Sequence, residues 1–245
     1  MGIIIETKKL IKTYDTQQGP VLKGISLRVE EEEFIAVMGR SGCGKTTLLK
    51  LLGLMDEPTE GKIYVKGRET GTLWEEELSD IRRKVMGFVF QDYNLMDSLT
   101  TGENIMLPAI LDKTEPGIRK EKLESLTAQF EIRELTEKYP CQMSGGEKQR
   151  AALCRALMND PDLILADEPT GNLDSVMGEE VIGWLKRLNE EWHKTVIIVT
   201  HDPKIACKCR KVLLMKDGLL TRELVRDNDN KEGFYEEILE NIARL

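Results

Sequence analysis

No apolar run in this chain approaches the ~20 residues that span a bilayer. The longest, Thr195 to Thr200 and Asp162 to Ala166, have the length of a strand. Direct membrane insertion is therefore not expected, and any membrane association has to pass through a partner. Positive charge is also short. Thirty-five Lys and Arg stand against 43 Asp and Glu, a formal net charge of −8, which argues against nucleic acid or anionic lipid held by bulk charge. Aromatics are only 5% of the chain and histidines number two. The five cysteines are an odd number with no framework spacing, and the N-terminus lacks a basic-then-apolar leader. The expectation is a reduced, cytoplasmic protein. Cys207-Lys208-Cys209 has the wrong spacing for a zinc knuckle and no second pair near it, so these read as ordinary thiols.

What is present is ordinary globular usage, 40% hydrophobic and 32% charged over 245 residues, enough for one large domain or two small ones. No repeat or linker divides the chain, so organisation has to come from periodicity. Ile3 to Leu10 and Ile25 to Val29 alternate as strands, and Phe34 to Met38 is a buried strand ending at Gly39. The acidic run Glu30 to Glu33 reads as a turn between strands. Thr46 to Leu54 is helical, Gly61 to Lys66 returns to strand, and a helix precedes the strand Val85 to Phe90. Between Asn94 and Met158 the pattern is helical, with Thr100 to Leu111 and Lys120 to Tyr139 as helices and Leu123, Leu126 and Phe130 on one face. Strands Leu163 to Ala166 and Val196 to Val199 flank a helix over Val176 to Asn189, the alternation of a parallel sheet. Asp217-Gly218 marks a hairpin turn. Glu232 to Leu245 reads as an amphipathic helix with Phe234, Ile238, Leu239 and Ile242 on its packed side. The fold class expected is α/β, a mostly parallel core with an N-terminal antiparallel part and a helical part, approximately 92–158, inserted in it.

Gly39-Arg40-Ser41-Gly42-Cys43-Gly44-Lys45-Thr46 fits the phosphate-loop pattern, between a buried strand and a helix as that pattern requires. Its glycines let backbone N–H groups converge, and the helix adds its positive N-terminal end. Lys45 would reach the β- and γ-phosphates, the Thr46 hydroxyl would coordinate Mg²⁺, and Thr47 follows in the same turn. Leu163 to Ala166 ends in Asp167 and Glu168, at the strand edge where α/β sheets hold ligands. By itself an acidic pair there is a solvated end or a helix cap; with a phosphate loop upstream, Asp167 reads as a Mg²⁺ holder and Glu168 as the group that polarises water. Ser144-Gly145-Gly146-Glu147 opens a further helix. Ser144 is an N-cap type, and the two glycines would leave N–H groups without side-chain cover, a second anion cradle.

In this order, and with Gln91 after strand Val85 to Phe90, Met143-Ser144-Gly145-Gly146-Glu147 as a signature, Gly171-Asn172-Leu173-Asp174, and His201 after Thr200, the chain resembles the ATPase subunit of ATP-binding cassette transporters over essentially its whole length. The resemblance implies a P-loop NTPase fold, a single nucleotide-binding domain over 1–245, ATP and Mg²⁺ as cofactors, and ATP hydrolysis. It also implies a head-to-tail dimer with a second ATPase chain and a separate integral membrane permease, with the ATPase peripheral on the cytoplasmic face and no nucleic acid partner. Position by position, Tyr14 would stack on adenine, Gln91 would sense Mg²⁺ and water, and Ser144 and Gly146 would touch the γ-phosphate of the opposite site. Asp174 would lie in the loop facing the other subunit, and His201 would hold the γ-phosphate at the transition state. Met143 and Glu147 stand where Leu and Gln are usual. Glu147, with Phe90-Gln91-Asp92-Tyr93-Asn94-Leu95 and Glu103-Asn104-Ile105, resembles the lipoprotein-release, macrolide-export and peptide-antibiotic-export branch. An ATP-gated regulatory switch on a membrane partner, without transport, is the alternative. The resemblance places the permease-docking groove between the Gln91 loop and the helices after it, where Tyr93, Leu95, Met96 and Leu99 offer apolar contacts, with internal packing of these four as the alternative. Cys43, next to a helix N-terminus and Lys45, is expected to have its thiolate favoured.

Overall fold

The computed structural model describes residues 2–15, 17, 19–227 and 231–244. Two compact units divide the chain: Met1–Leu78 with Leu185–Leu245, and Ser79–Trp184. In chain order the elements are β1 (Ile3–Lys12), β2 (Leu22–Glu30), β3 (Phe34–Gly39), α1 (Lys45–Leu52), β4 (Glu60–Val65), β5 (Arg68–Glu69), α2 (Glu75–Lys84), β6 (Met86–Phe90), α3 (Thr101–Leu111), α4 (Pro116–Gln129), α5 (Gly145–Leu157), β7 (Leu163–Asp167), α6 (Ser175–Glu190), β8 (Thr195–Thr200), α7 (Pro203–Ala206), β9 (Lys211–Lys216), β10 (Leu219–Val225) and α8 (Lys231–Ala243).

In the first unit β2, β1, β4 and β5 form an antiparallel sheet. Alternation along β2 buries Leu22, Ile25, Leu27 and Val29, and Ile5 is in register with both Val29 and Val65. The acidic run turns the chain at Glu32, whose φ is +64°. A second sheet is built on β3, which pairs in parallel with β8 on one side and β9 on the other. All six residues of β3 are buried, as expected for a strand covered on both faces. β10 returns antiparallel on β9 through Asp217-Gly218, both at positive φ.

In the second unit β6 and β7 pair in parallel, with Phe90 opposite Asp167, so the residue before Gln91 and the first acid lie side by side. The ladders of β3, β6 and β7 are thus parallel, with one antiparallel hairpin, which is the α/β class read from the sequence. α3 begins in a reciprocal capping box of Thr100 and Glu103. Asn104, fully buried, accepts from Met96 N at 2.7 Å and donates to the carbonyls of Met96, Leu99 and Thr100. That one side chain fixes the loop after Gln91.

Two helices differ from expectation. α4 stops at Gln129 rather than running to Tyr139, because Phe130, Ile132 and Leu135 are all buried. Residues two apart cannot share a helix face, and Glu131 breaks the helix with φ +56°. In α8 Phe234 and Ile238 are buried but Leu239 is 41% exposed, so it is not on the packed side. Leu245 lies outside the described residues.

Candidate functional site

In the first unit β3 ends where β9 passes unusually close. A Cβ on Gly39 would stand 2.2 Å from the carbonyl oxygen of Met215 and 2.6 Å from Cys43 Sγ, so only glycine fits. The loop then turns through Gly42 and Gly44 with φ of +80° and +103°. Gly44 is the N-cap of α1 and gives it no side-chain cap. The first-turn N–H groups are therefore open to an anion, with the helix dipole behind them. Lys45 is nearly buried, its ammonium donating to Gly39 O at 2.9 Å and Arg40 O at 3.2 Å, while Arg40, Ser41, Gly42 and Thr46 face solvent and Thr47 is half-buried. A cavity of about 370 Å³ is lined by Arg40 to Cys43 and by Met215, Lys216 and Asp217. Uncapped N–H groups, a lysine folded over the loop and glycines at left-handed φ fit a polyphosphate.

Tyr14 presents a ring in the same unit. Its hydroxyl donates to Asp56 Oδ2 at 2.8 Å, and Lys12 reaches Asp56 at 2.6 Å and sits 4.8 Å from the ring centre. Burial, and the hydrogen bond to Asp56, raise the phenol's pKa, yet Tyr14 remains 58% exposed. His201, after β8, is exposed. Capping of α7 falls to Asp202, which accepts from Lys204 N at 2.8 Å, so His201 is neither a cap nor a core residue.

Cys43 departs from expectation. Its side chain is buried, and burial raises its pKa against the opposing pull of Lys45, so the thiolate is disfavoured. Cys154 and Cys209 are fully buried and raised much further, whereas Cys141 is exposed. Maleimide at neutral pH should label Cys141 first and leave Cys43 largely unmodified with or without ATP. Peptide mapping checks this, and Cys43 labelling as fast as Cys141 would contradict the burial of its side chain.

In the second unit, β7 delivers Asp167 and Glu168 half-buried. Glu168 precedes Pro169, where L residues keep to extended backbone, yet its φ is +44°. Such a conformation costs about 1–3 kcal/mol and marks sites where geometry is imposed from outside. A turn closes behind it, Gly171 N donating to Glu168 O at 2.9 Å. Gln91 lies against this turn: a Cβ on Gly171 would be 2.9 Å from its amide. Asn172 donates to Gln91 O at 3.0 Å and to Asp92 Oδ1 at 2.9 Å. Asp174 caps α6, accepting from Val176 N and Met177 N.

Ser144 caps α5, and Glu147 answers it, accepting from Ser144 N at 2.7 Å and Ser144 Oγ at 2.8 Å. These bonds, backbone first, hold the Glu147 carboxyl below its ordinary pKa. The glycines that follow are not bare. A Cβ on Gly146 would lie 1.9 Å from Met177 Cε, and one on Gly145 2.9 Å from the Tyr93 hydroxyl, so the expected absence of side-chain cover is corrected by two covering side chains. Further along α5, Arg155 donates from both terminal nitrogens to Asn94 O and, at 2.7 Å, to Tyr93 O. Those two residues have consecutive left-handed φ, +60° and +48°. Burial pushes the Arg155 pKa down to about 10, so it stays charged at neutral pH and grips both carbonyls through charge-assisted bonds.

Residues 22–171 match the ABC transporter family. The chain belongs to that family. It is an ATP-binding, ATP-hydrolysing transporter subunit. It is 47% identical to the ABC transporter ATP-binding protein YxdL of Bacillus subtilis, over 100% of this chain and 95% of that one. It is 42% identical to the bacitracin export ATP-binding protein BceA of Halalkalibacterium halodurans, over 99% and 96%. Among solved structures, the dimeric ATP-binding cassette MJ0796 of Methanocaldococcus jannaschii, in a post-hydrolysis state bound to ADP and Pi, matches with TM-score 0.84 and 40% identity over 91% of this chain and 99% of that one.

A cavity of about 330 Å³ in the second unit is lined by Phe88 and Phe90, by Asn94 of the loop after Gln91, and by Leu107, Pro108 and Leu111 of α3, with Arg82 and Arg83 also at it; Tyr93, Leu95, Met96 and Leu99 do not line it. Phe88 and Phe90 stack at 6.0 Å. Sequence reading also missed Asp56, Arg155 and Met177. Nothing local marks them, since each acts on a residue far away along the chain, Tyr14, Tyr93 and Gly146 respectively.

Proposed function

We propose that this cassette powers a separate integral membrane permease from the cytoplasmic face, as a head-to-tail pair of ATPase chains, and that the permease exports or extracts peptides, lipoproteins or hydrophobic drugs. One observation carries this. The chain spans nearly the whole of bacitracin exporter subunit BceA but only 35% of the macrolide export ATP-binding/permease protein MacB of Aggregatibacter actinomycetemcomitans, at 42% identity to each. The relative of this size is named an ATP-binding protein, and the longer one an ATP-binding/permease protein. No helix among the described residues is long and apolar enough to cross a membrane, which agrees with a separate permease.

Each unit has its own share of the chemistry. In the first, the open N–H groups of α1 and Lys45 hold the β- and γ-phosphates, Thr46 offers a hydroxyl to Mg²⁺, Tyr14 stacks on the base and His201 supports the γ-phosphate. In the second, Asp167 and Gln91 offer oxygens to Mg²⁺, and Glu168 orients and deprotonates water. Bound Mg²⁺ would neutralise charge on the transferring phosphoryl oxygens. Ser144 and Gly146 serve the nucleotide of the opposite chain. For this the Met177 side chain has to swing off Gly146, which a flexible thioether does at little cost.

The Phe88 to Leu111 groove takes a short amphipathic helix of the permease, an apolar face between basic residues. Leu111 is 61% exposed, so Leu111→Asp should leave folding and the isolated subunit's ATP turnover unchanged. It should abolish co-purification of the permease from detergent-solubilised membranes, and permease-stimulated turnover with it. Full retention of the permease by Leu111→Asp would place docking elsewhere.

A further inference from the structure

The second unit contains a buried amide that neither ATP binding nor the signature contact uses. Gln149, on the second turn of α5, is 0% exposed. Its Nε2 donates to the carbonyl oxygen of Pro169 at 2.7 Å, while its Oε1 is buried and meets no donor among the described residues. For folding alone the amide gains little, since it satisfies one buried acceptor and strands another of its own. What the bond does is local. Pro169 is the residue after Glu168 and sits inside the turn that Gly171 N closes on Glu168 O. Glu168 is held there at φ +44° ahead of a proline, a conformation its own sequence does not favour. The Gln149 bond draws on the carbonyl just beyond the peptide that joins Glu168 to Pro169, so it opposes relaxation of that strained backbone.

We infer that Gln149 is a positioning residue for Glu168, tying the helix that opens with Ser144 to the turn that aims the water-activating carboxylate. The inference rests on Glu168 being that base. It adds a direction of control. α5 carries Ser144 and Gly146 at its N-terminus, so a shift of the helix when those residues meet the opposite chain's nucleotide reaches Glu168 through one hydrogen bond, entirely within this chain.

Gln149→Met keeps volume and removes the donor. It should bind ATP as the wild type does and lose about 10²-fold in single-turnover hydrolysis, the scale of a small misplacement of a reacting group. On a Glu168→Gln background the same change should cost nothing further, because the group it positions is already gone. Gln149→Glu serves if the Met variant fails to fold. Its neutral carboxyl can still donate to Pro169 O and its charged form cannot, so turnover should fall as pH rises through a carboxyl pKa raised by burial, with ATP binding constant. Equal losses from Gln149→Met in the wild-type and Glu168→Gln backgrounds, or weakened ATP binding, would make Gln149 merely structural and overturn the inference. So would a Gln149→Glu pH profile identical to wild type. If Glu168→Gln by itself keeps near-normal turnover, it is the assignment of the base that fails instead.

Discussion

Glu168→Gln binds ATP, loses about 10²–10⁴-fold in turnover, the usual contribution of a positioned base, and accumulates as an ATP-bound dimer. The expectation is this sharp because the substitution removes one function and leaves the frame. The turn around Glu168 is closed by backbone, Gly171 N to Glu168 O, and braced by Gln149 on Pro169. Neither bond involves the carboxylate, and the phosphate loop lies in the other unit. With hydrolysis blocked, the nucleotide that joins the two chains of the proposed pair would not be consumed, so the wild type should visit the dimer briefly and the variant should stay in it. Size-exclusion chromatography with Mg-ATP, next to single-turnover hydrolysis, checks both halves. A variant that binds ATP and elutes only as a monomer would count against the head-to-tail pair, and turnover within about tenfold of wild type against Glu168 as base.

Gly39→Ala should be the most destabilising single-methyl change in the phosphate loop. The added Cβ would meet the Met215 carbonyl oxygen at 2.2 Å. That oxygen belongs to the β9 backbone, and Gly39 and Met215 are in register in a parallel ladder, so the neighbour cannot swing aside as a side chain would. Relief requires β3 and β9 to part, and overpacking of this kind costs about 3 kcal/mol, or a Tm lower by about 6–12 °C for a chain of this length. Gly42→Ala is the control. Nothing lies within 4 Å of its Cβ, and the penalty is that of φ +80°, about 1–2 kcal/mol. Thermal melts of the two without nucleotide should separate them by several degrees. Equal melting temperatures would mean that β9 does not constrain Gly39.

The parts of the site that were legible are those set by the chain's own neighbours. The backbone frames of Gly39 to Thr46, Asp167-Glu168 and Ser144 to Glu147 were readable as strand ends, turns and helix starts because these are consecutive in sequence. The same holds for β3 and β8, whose short unbroken apolar runs read as strands covered on both faces. What escaped was decided by residues far along the chain. A cysteine beside Lys45 reads as activated until β9 buries it. Gly145-Gly146 reads as bare until Tyr93 and Met177 cover it. The loop through Met96 and Leu99 reads as free until Asn104 ties its backbone down by three carbonyl bonds and an N–H. The overlong helix through Tyr139 failed for a different reason. Leu123, Leu126 and Phe130 obey helical spacing, and only the addition of Ile132 and Leu135 to the same core breaks it.

Tyr14 is fastened by its hydroxyl, through Asp56 and Lys12, and in the proposed role it would offer the base a flat π-face rather than a pattern of donors and acceptors. Stacking of that kind is tolerant, because every nucleobase has such a face. Selection at the phosphate loop is for a polyphosphate and its charge, which ATP and GTP share. If Tyr14 stacks on the base as proposed, such a cassette would spend whichever purine triphosphate is more abundant around it, and a preference for adenine would become a property of the cell's nucleotide pool rather than of the protein.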